Sequence, residues 1–170
     1  MFDVASAQLQ RLSREFDETC YLAKLDGETV RSVVMESPGS PWRGYVLPGR
    51  SMMAHANASA KAIIAYQDDA LIERALESEL PALTPFTKTD RDEIRREFVK
   101  VRDAGFATCI DEVEEGLAAF AVPIFGQDGS VQMALASVGP KARIMGMLEG
   151  GAVERFSKTA ASIALSMRLE

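Results

Sequence analysis

Histidine, cysteine and tryptophan are scarce in this chain of 170 residues, which contains one His, two Cys and one Trp. Cys20 and Cys109 lack the spacing of metal ligands, and one histidine cannot complete a Cys/His zinc site with them. We therefore predict no metal site and no cofactor. A disulfide between the two cysteines stays open, but reduced thiols are favoured for an intracellular chain.

Positive charge and long apolar runs are scarce as well. The 19 Lys and Arg residues are outnumbered by 25 Asp and Glu residues, which gives a formal net charge of -6. Without a Lys/Arg-rich run, the chain is not expected to bind nucleic acid by itself. No stretch approaches the roughly 18 apolar residues of a membrane span, and residues 1–17 predict an amphipathic helix rather than a signal peptide. We expect a soluble, cytoplasmic protein with no membrane partner.

The pattern along the chain predicts the order helix, strands, helices, strands, helix. With 47% apolar residues and this length, one domain with one sizeable core is expected. The predicted helices cover 1–17, 56–66, 69–80, a segment from Thr89 to Gly105, and 152–169. The predicted strands cover 19–25, 29–36, 42–47 (Trp42 to Leu47), 106–110, 117–125 and 131–138.

Because strands follow strands and helices follow helices, the order favours an antiparallel sheet over alternating βαβ units. We predict the α+β class, with helices packed on both faces of the sheet. The two terminal helices are expected to share one face, and the middle helices the other.

Small residues crowd the segment 54–62, which reads AHANASAKA and contains the single histidine. Asn57 or Ser59 could cap a helix there, and a helix start with uncrowded N–H groups can bind an anion. The alternative is that small residues only let the helix lie close to the sheet. His55 is predicted to be a hydrogen-bonded scaffold residue, and Lys61 a solvated or locally paired one.

The order of motifs over residues 4–168 resembles the ligand-binding domain of the IclR family of bacterial transcription regulators. The resemblance is carried by GRSMMAHANASAKAIIA at 49–65, RDAGFATCIDEVEEG at 102–116, AVPIF at 121–125 and ASVGP at 136–140. The family pattern has Gly-Arg, a His-Ala-rich segment ending in Gly-Lys-Ala, an Arg-x-x-Gly-Tyr-Ala step, Glu-Glu, an Ala-x-Pro strand and a Ser-Val-Ser-Gly-Pro strand.

The resemblance implies a GAF-like fold, with an effector pocket on one face of the sheet and a role in homodimers or homotetramers. It also implies that residues 1–170 are one effector-binding domain. The family's N-terminal winged helix-turn-helix, which reads operator DNA, is absent from this sequence, and the opening helix would be the end of the connection to it. Contacts between copies are expected at the terminal helices or at the edge near Trp42 to Leu47.

Carried over position by position, the family's ligand pocket falls on a set of small and apolar residues. These are Met52, Ala58, Ser59, Ala60, Cys109, Leu117, Ala119, Ala136 and Val138. Many relatives have Asp at position 109, Cys at 119 and Ser at 136 and 138, and the hydroxyl of Ser137 should point away from the pocket because strand residues alternate between faces.

These departures predict the kind of ligand. A very small polar acid would leave its groups unpaired beside Ala119, Ala136 and Val138, at a cost of roughly 1–3 kcal/mol each. We therefore expect a carboxylic acid with an apolar or aromatic body, its carboxylate near the N–H groups of Ala58, Ser59 and Ala60.

Two rival interpretations stay open. The domain could serve only for oligomerisation, its ligand site having decayed. Less favoured is an enzyme with Cys109 as nucleophile and His55 as base, because nothing in the sequence brings the two together. Glu112, Glu114 and Glu115 could suggest acid–base catalysis, but a charged, solvated turn between strands is the preferred interpretation.

Overall fold

The computed structural model describes residues 2–39 and 46–167. These residues form six helices and a six-stranded sheet. The helices are α1 (Asp3–Phe16), α2 (Ala58–Ile64), α3 (Asp69–Glu77), α4 (Arg91–Ala104), α5 (Lys141–Glu149) and α6 (Ala152–Met167). The strands are β1 (Thr19–Asp26), β2 (Thr29–Glu36), β3 (Ser51–Met52), β4 (Ala107–Ile110), β5 (Leu117–Phe125) and β6 (Val131–Pro140).

The sheet is antiparallel at every pairing, in the order β3-β2-β1-β6-β5-β4. The hairpin between β1 and β2 pairs Asp26 with Thr29, so its loop consists of Gly27 and Glu28. The first and last strand groups of the chain meet at the centre, where β1 lies beside β6. This architecture confirms the predicted α+β class and antiparallel sheet.

Each face of the sheet is covered by a separate apolar core. On one face, α2, α3 and α4 pack against the sheet through residues such as Ile63, Leu76 and Phe98. On the other face, α1, α5 and α6 pack through residues such as Leu9 and Phe156. The predicted division between terminal and middle helices is confirmed, because α1 and α6 share the second face and contact each other.

Local signals place several helix ends correctly. The side chain of Asp90 accepts a hydrogen bond from the Glu93 N–H at 2.8 Å and so caps α4. Gly105 ends the same helix with a φ of 80°, the left-handed conformation that glycine adopts without strain. Both ends match the prediction for this segment.

The prediction differs from the structure in two elements. The predicted strand from Trp42 to Leu47 falls mostly outside the described residues, and the described part, Val46 and Leu47, is not in a strand; β3 follows instead at Ser51–Met52. Helix α5 was not predicted. It starts directly after β6 without a side-chain cap, contains Gly146 and fully buries only Ile144, so its apolar pattern is weak.

None of the helices in the described ranges combines the length and the apolarity that a membrane span requires.

A buried carboxylate, Glu18, lies in the short connection between α1 and β1. Glu18 is fully buried, and its Oε1 lies 2.7 Å from Nε of Arg143 in α5. A side chain at Gly139 of β6 would collide with this carboxylate, which explains the glycine there. Burial raises the pKa of Glu18 to about 7, although Arg143 lowers it.

We predict that Glu18 makes the protein less stable as the pH rises. A carboxyl with a folded pKa of about 7 and an ordinary value of 4.5 favours the folded state at low pH. That contribution is lost as the pH rises from about 4.5 through about 7, and it amounts to at most about 3 kcal/mol. Denaturant unfolding of Glu18→Gln across this range should show a flatter pH dependence than the unsubstituted chain.

Glu15→Gln provides the control, because Glu15 is a half-exposed carboxylate paired with Arg155 at 3.0 Å. It should leave the pH dependence between about 5 and 8 unchanged. Equal slopes for the Glu18→Gln variant and the unsubstituted chain would refute this account of Glu18.

Candidate functional site

A cavity of about 360 Å³ lies between the sheet and the start of α2. Small-molecule sites in proteins commonly occupy roughly 300–1,000 Å³, so a compact organic molecule would fit. Sheet strands form the floor of the cavity, and the loop before α2 forms one of its walls. The lining residues are Tyr21, Val46, Arg50, Ser51, Met52, Met53, Asn57, Ala58, Leu83, Cys109, Val113, Glu114, Leu117, Ala118, Ala119 and Val138.

Strand register explains the floor of the cavity. Cys109 of β4 pairs with Ala119 of β5, and Ala119 pairs with Val138 of β6. Directly opposed residues in neighbouring strands point to the same face, so these side chains form a row across the sheet. The row is made of short side chains, and short side chains leave room between the sheet and the helix.

The structure brings most of the predicted site residues to this one cavity. Met52, Ala58, Cys109, Leu117, Ala119 and Val138 line it. The other predicted residues, Ser59, Ala60 and Ala136, are buried and do not line it. Ser59 accepts a hydrogen bond from the Tyr21 hydroxyl at 3.2 Å, and Ala136 is the strand partner of Tyr21. Ligand contact by any of these residues stays a prediction.

Ser137 points to the opposite face, as predicted. Its hydroxyl is buried and donates a hydrogen bond to the Thr19 carbonyl at 3.0 Å. It therefore offers nothing to a ligand in the cavity.

Arg50 was not predicted as a site residue, although it belongs to the Gly-Arg motif. It is the one cationic side chain among the described residues that line the cavity, and no ion pair joins it to another described residue. Ser32 fixes its backbone: the Ser32 N–H donates to the Arg50 carbonyl at 3.1 Å, and the Arg50 N–H donates to Ser32 Oγ at 3.2 Å. The backbone of Arg50 is therefore held in place, and its side chain is exposed at the cavity.

The start of α2 has no side-chain cap. Asn57 occupies the capping position, but its Oδ1 accepts a hydrogen bond from the Met53 N–H at 2.6 Å, and Ser59 is engaged with Tyr21. The expectation that Asn57 or Ser59 caps the helix is therefore wrong. Because the first N–H groups of a helix have no intrahelical acceptor, those of Ala58, Ser59 and Ala60 are left without a side-chain partner among the described residues.

Lys61 is fully buried, which corrects the expectation of a solvated or locally paired residue. Its Nζ lies 2.6 Å from Oε2 of Glu112 and 2.7 Å from Oε1 of Glu97, and it donates to the Thr108 carbonyl at 3.0 Å. Lys88 pairs with the same two carboxylates, at 3.1 Å from Glu97 and 3.4 Å from Glu112. We call these residues (Lys61, Lys88, Glu97 and Glu112) the ionic cluster.

The acidic segment 112–115 is accordingly divided. Glu114 and Glu115 are exposed, as expected for a solvated turn, whereas Glu112 is buried and belongs to the ionic cluster. Because Glu112 is buried, the interpretation of this residue as solvated is wrong. Its partner Lys61 lies 51 residues away in the chain, so local sequence patterns do not indicate the pair.

His55 is a scaffold residue, as predicted. It is buried, and its Nε2 lies 2.9 Å from the Pro81 carbonyl. Burial and, to a smaller extent, the nearby Glu112 carboxylate raise the pKa of the Cys109 thiol to about 11, although Lys61 lowers it. A thiol with this pKa is protonated at neutral pH and is a poor nucleophile. The pKa of Cys109 therefore gives no support to a Cys109–His55 catalytic pair.

Other concavities lack this combination of an apolar floor and one cation. A groove of about 370 Å³ between the β5–β6 turn and α6 has no charged lining residue. A cavity of about 330 Å³ beside α4 is lined mainly by polar and charged side chains, including Arg96 and Lys100. Within the described ranges, no group of His, Cys, Asp or Glu side chains is arranged to hold a metal ion.

The family model described as "Bacterial transcriptional regulator IclR C-terminal" matches residues 1–165. The chain belongs to the IclR family, as its C-terminal domain. Relatives agree with this assignment. HTH-type transcriptional regulator Rv1719 of Mycobacterium tuberculosis is 35% identical over 130 residues, which cover 76% of this chain and 49% of that protein.

Solved structures of IclR proteins share the fold. A transcriptional regulator from a Silicibacter species has a TM-score of 0.92 at 28% identity, covering 99% of this chain and 67% of that one. An IclR homologue from Microbacterium hydrocarbonoxydans, complexed with 4-hydroxybenzoate, has a TM-score of 0.84 at 24% identity, covering 98% of this chain and 68% of that one. This IclR chain spans about half the length of the curated relatives it matches.

We predict that Lys61→Met lowers the free energy of unfolding by roughly 3–5 kcal/mol, because it leaves two buried carboxylates with a single cation. Lys158→Met is the control, since Lys158 pairs with Glu154 on the surface, with both side chains more than 70% exposed. It should cost less than about 1 kcal/mol. Urea unfolding followed by circular dichroism measures both, and similar costs would contradict the role assigned to Lys61.

Iodoacetamide should alkylate Cys109 and Cys20 slowly at neutral pH. Burial raises the pKa of Cys109 to about 11 and that of Cys20 to about 12, which lowers the fraction of each thiol that is ionised at neutral pH. Both thiols should therefore react at least roughly tenfold more slowly than a free thiol. Mass spectrometry of the two cysteine peptides measures the rates. Rapid alkylation of Cys109 that is lost in His55→Ala would instead support the enzyme interpretation.

Proposed function

We propose that this IclR domain senses a small carboxylic acid with an apolar or aromatic body, and that the acid binds in the cavity beside α2. The observation that carries the proposal is the cavity of about 360 Å³, whose described lining combines an apolar floor with one cationic side chain, Arg50, and one carboxylate, the exposed Glu114. The domain performs no chemistry in this proposal. Its relatives are named transcriptional regulators, which is consistent with a sensor.

The floor favours the apolar body of the ligand. Ala119 and Val138 offer no hydrogen-bonding group, and the Cys109 thiol is a weak donor. Burying a hydroxyl or a second carboxylate against them would leave it unpaired, at a cost of roughly 1–3 kcal/mol. Met52 and Leu117 extend the apolar surface, and methionine adapts to irregular shapes.

The carboxylate of the ligand would lie at the opposite wall. Arg50 offers a planar, always charged donor group that suits a carboxylate. The N–H groups of Ala58, Ser59 and Ala60 at the start of α2, where no side chain caps the helix, would add their partial positive charge to the attraction. Together they would give the acid a defined orientation, with the charge at the wall and the apolar body on the floor.

The shared fold is consistent with an aromatic ligand. The structure of the Microbacterium homologue was solved in complex with 4-hydroxybenzoate. At 24% sequence identity, its similarity to this chain is evidence for the fold alone. The complex makes 4-hydroxybenzoate a suitable probe for this domain.

In the intact regulator the domain would act by shifting populations. An acid that binds one arrangement of the protein more tightly than another shifts the equilibrium between them, typically by about 1–3 kcal/mol of coupling free energy. Operator DNA would be bound through the family's N-terminal winged helix-turn-helix, and homodimers or homotetramers would transmit the change. One domain spanning residues 1–170 is part of this proposal.

A purely oligomerising domain is the second candidate. It is favoured by exposed apolar side chains on the terminal helices, Val4 of α1 and Leu165 of α6. It would account for self-association without any ligand. Binding of an acid in the cavity would contradict this second candidate. Dimers or tetramers are compatible with either candidate.

We predict a saturable thermal stabilisation by at least one member of a panel of aliphatic and aromatic carboxylates that includes benzoate and 4-hydroxybenzoate. A ligand at 100 times its Kd stabilises the folded state by about 2.7 kcal/mol. Ala58→Leu should abolish the response because its larger side chain fills the cavity. Differential scanning fluorimetry measures the shift, each variant being compared with its own ligand-free midpoint.

Ala161→Leu is the matched control, because it makes the same substitution in the groove beside α6. It should keep the full response. Arg50→Gln should weaken binding about tenfold or more, whereas Arg96→Gln, in the cavity beside α4, should not. A flat response to the whole panel, with an oligomer seen by light scattering, would favour the oligomerising domain.

A further inference from the structure

The two walls of the cavity are joined by one side chain that does not itself line it. Helix α2 contributes Ala58 to one wall, and Lys61 follows one turn later on the same helix. From there the ammonium group reaches Glu112 at 2.6 Å and the Thr108 carbonyl at 3.0 Å. Thr108 and Glu112 flank Cys109, which lies on the floor.

The wall that Lys61 reaches consists of residues 109–117, which we call the wall segment: the end of β4, the turn that follows it and the first residue of β5. It contributes Cys109, Val113, Glu114 and Leu117 to the cavity. Its turn is tight, with Asp111 in the left-handed region at a φ of 59°. Aspartate is one of the few non-glycine residues that adopt this conformation readily.

Hydrogen bonds from three directions hold the wall segment. The hydroxyls of Thr84 and Thr87 donate to the carbonyls of Asp111 and Glu112, respectively, and Lys141 pairs with the Asp111 carboxylate. These partners lie in the loop after α3 and at the start of α5. Lys61 supplies the bond from α2. It therefore connects the wall segment to the helix whose first residues form the opposite wall.

We propose that Lys61 is a positioning residue of the effector cavity, whose ion pair with Glu112 holds the wall segment at the correct distance from the start of α2. This inference rests on the proposed function. Fixed geometry matters here because a ligand that spans both walls gains full contact with each only when their separation matches its length. Glu97 lies on α4, outside the wall segment, and shares the same ammonium group at 2.7 Å.

Glu97 and Glu112 allow a matched comparison. Glu112→Gln and Glu97→Gln each neutralise one carboxylate on the same amine, but only Glu112 belongs to the wall segment. We expect Glu112→Gln to weaken benzoate binding at least about tenfold and to speed amide hydrogen exchange across residues 109–117. Glu97→Gln should stay within about twofold of the unsubstituted chain in both measurements.

Lys61→Met tests the amine itself through Cys109 alkylation, with Cys20 on the opposite face as internal reference. Lys61 lowers the pKa of Cys109, so loss of its charge alone would slow the reaction. Because the substitution also lowers the free energy of unfolding, the Cys109 rate is compared with the Cys20 rate. Displacement of the wall segment would raise the ratio of the two rates at least about tenfold, whereas a general loss of stability would speed both cysteines alike and leave the ratio unchanged.

Two outcomes would overturn the proposal. One is that Glu112→Gln and Glu97→Gln change hydrogen exchange and benzoate affinity alike. The other is that Lys61→Met leaves the ratio of the Cys109 rate to the Cys20 rate unchanged or lowers it. If the unsubstituted chain binds no carboxylate at all, the proposed function fails; hydrogen exchange and alkylation still decide whether Lys61 positions the wall segment.

Discussion

The burial of the Lys61 ammonium group is the constraint on which the site depends. A buried cation is tolerated only when charged and polar partners replace its lost hydration, and here Glu97, Glu112 and the Thr108 carbonyl supply them. Those partners lie on α4, on the wall segment and on β4. One side chain therefore fixes α2 relative to three neighbouring elements, and the cavity lies where α2 begins.

Side-chain size explains why a cavity exists there. The sheet buries apolar residues on both faces, so its strands have few positions at which space can be left. Alanine at position 119 in the sheet and at 58 in α2 leaves that space, while Phe98 and Ile63 fill the region farther along the helices. Arg50 and Glu114 then add one charge of each sign to the lining of this space.

The fold and much of the cavity could be predicted from sequence because both depend on local patterns. Strand alternation and family motifs indicated Cys109, Ala119 and Val138, and strand pairing brings them together. Lys61 and Glu112 could not be paired in this way, because 51 residues separate them and each alone has the usual properties of a surface charge. Helix α5 was missed because its apolar face is weak.

The central claim, that an acid binds beside α2, is tested most directly by methyl nuclear magnetic resonance during a titration with benzoate. The account predicts saturable shifts of the Ala58 and Ala119 methyl signals, which line the cavity, with one Kd for both. The methyls of Ala161 and Ala164, in the groove beside α6, should not move. Shifts confined to Ala161 and Ala164 would contradict the account and place the ligand on the opposite face of the sheet.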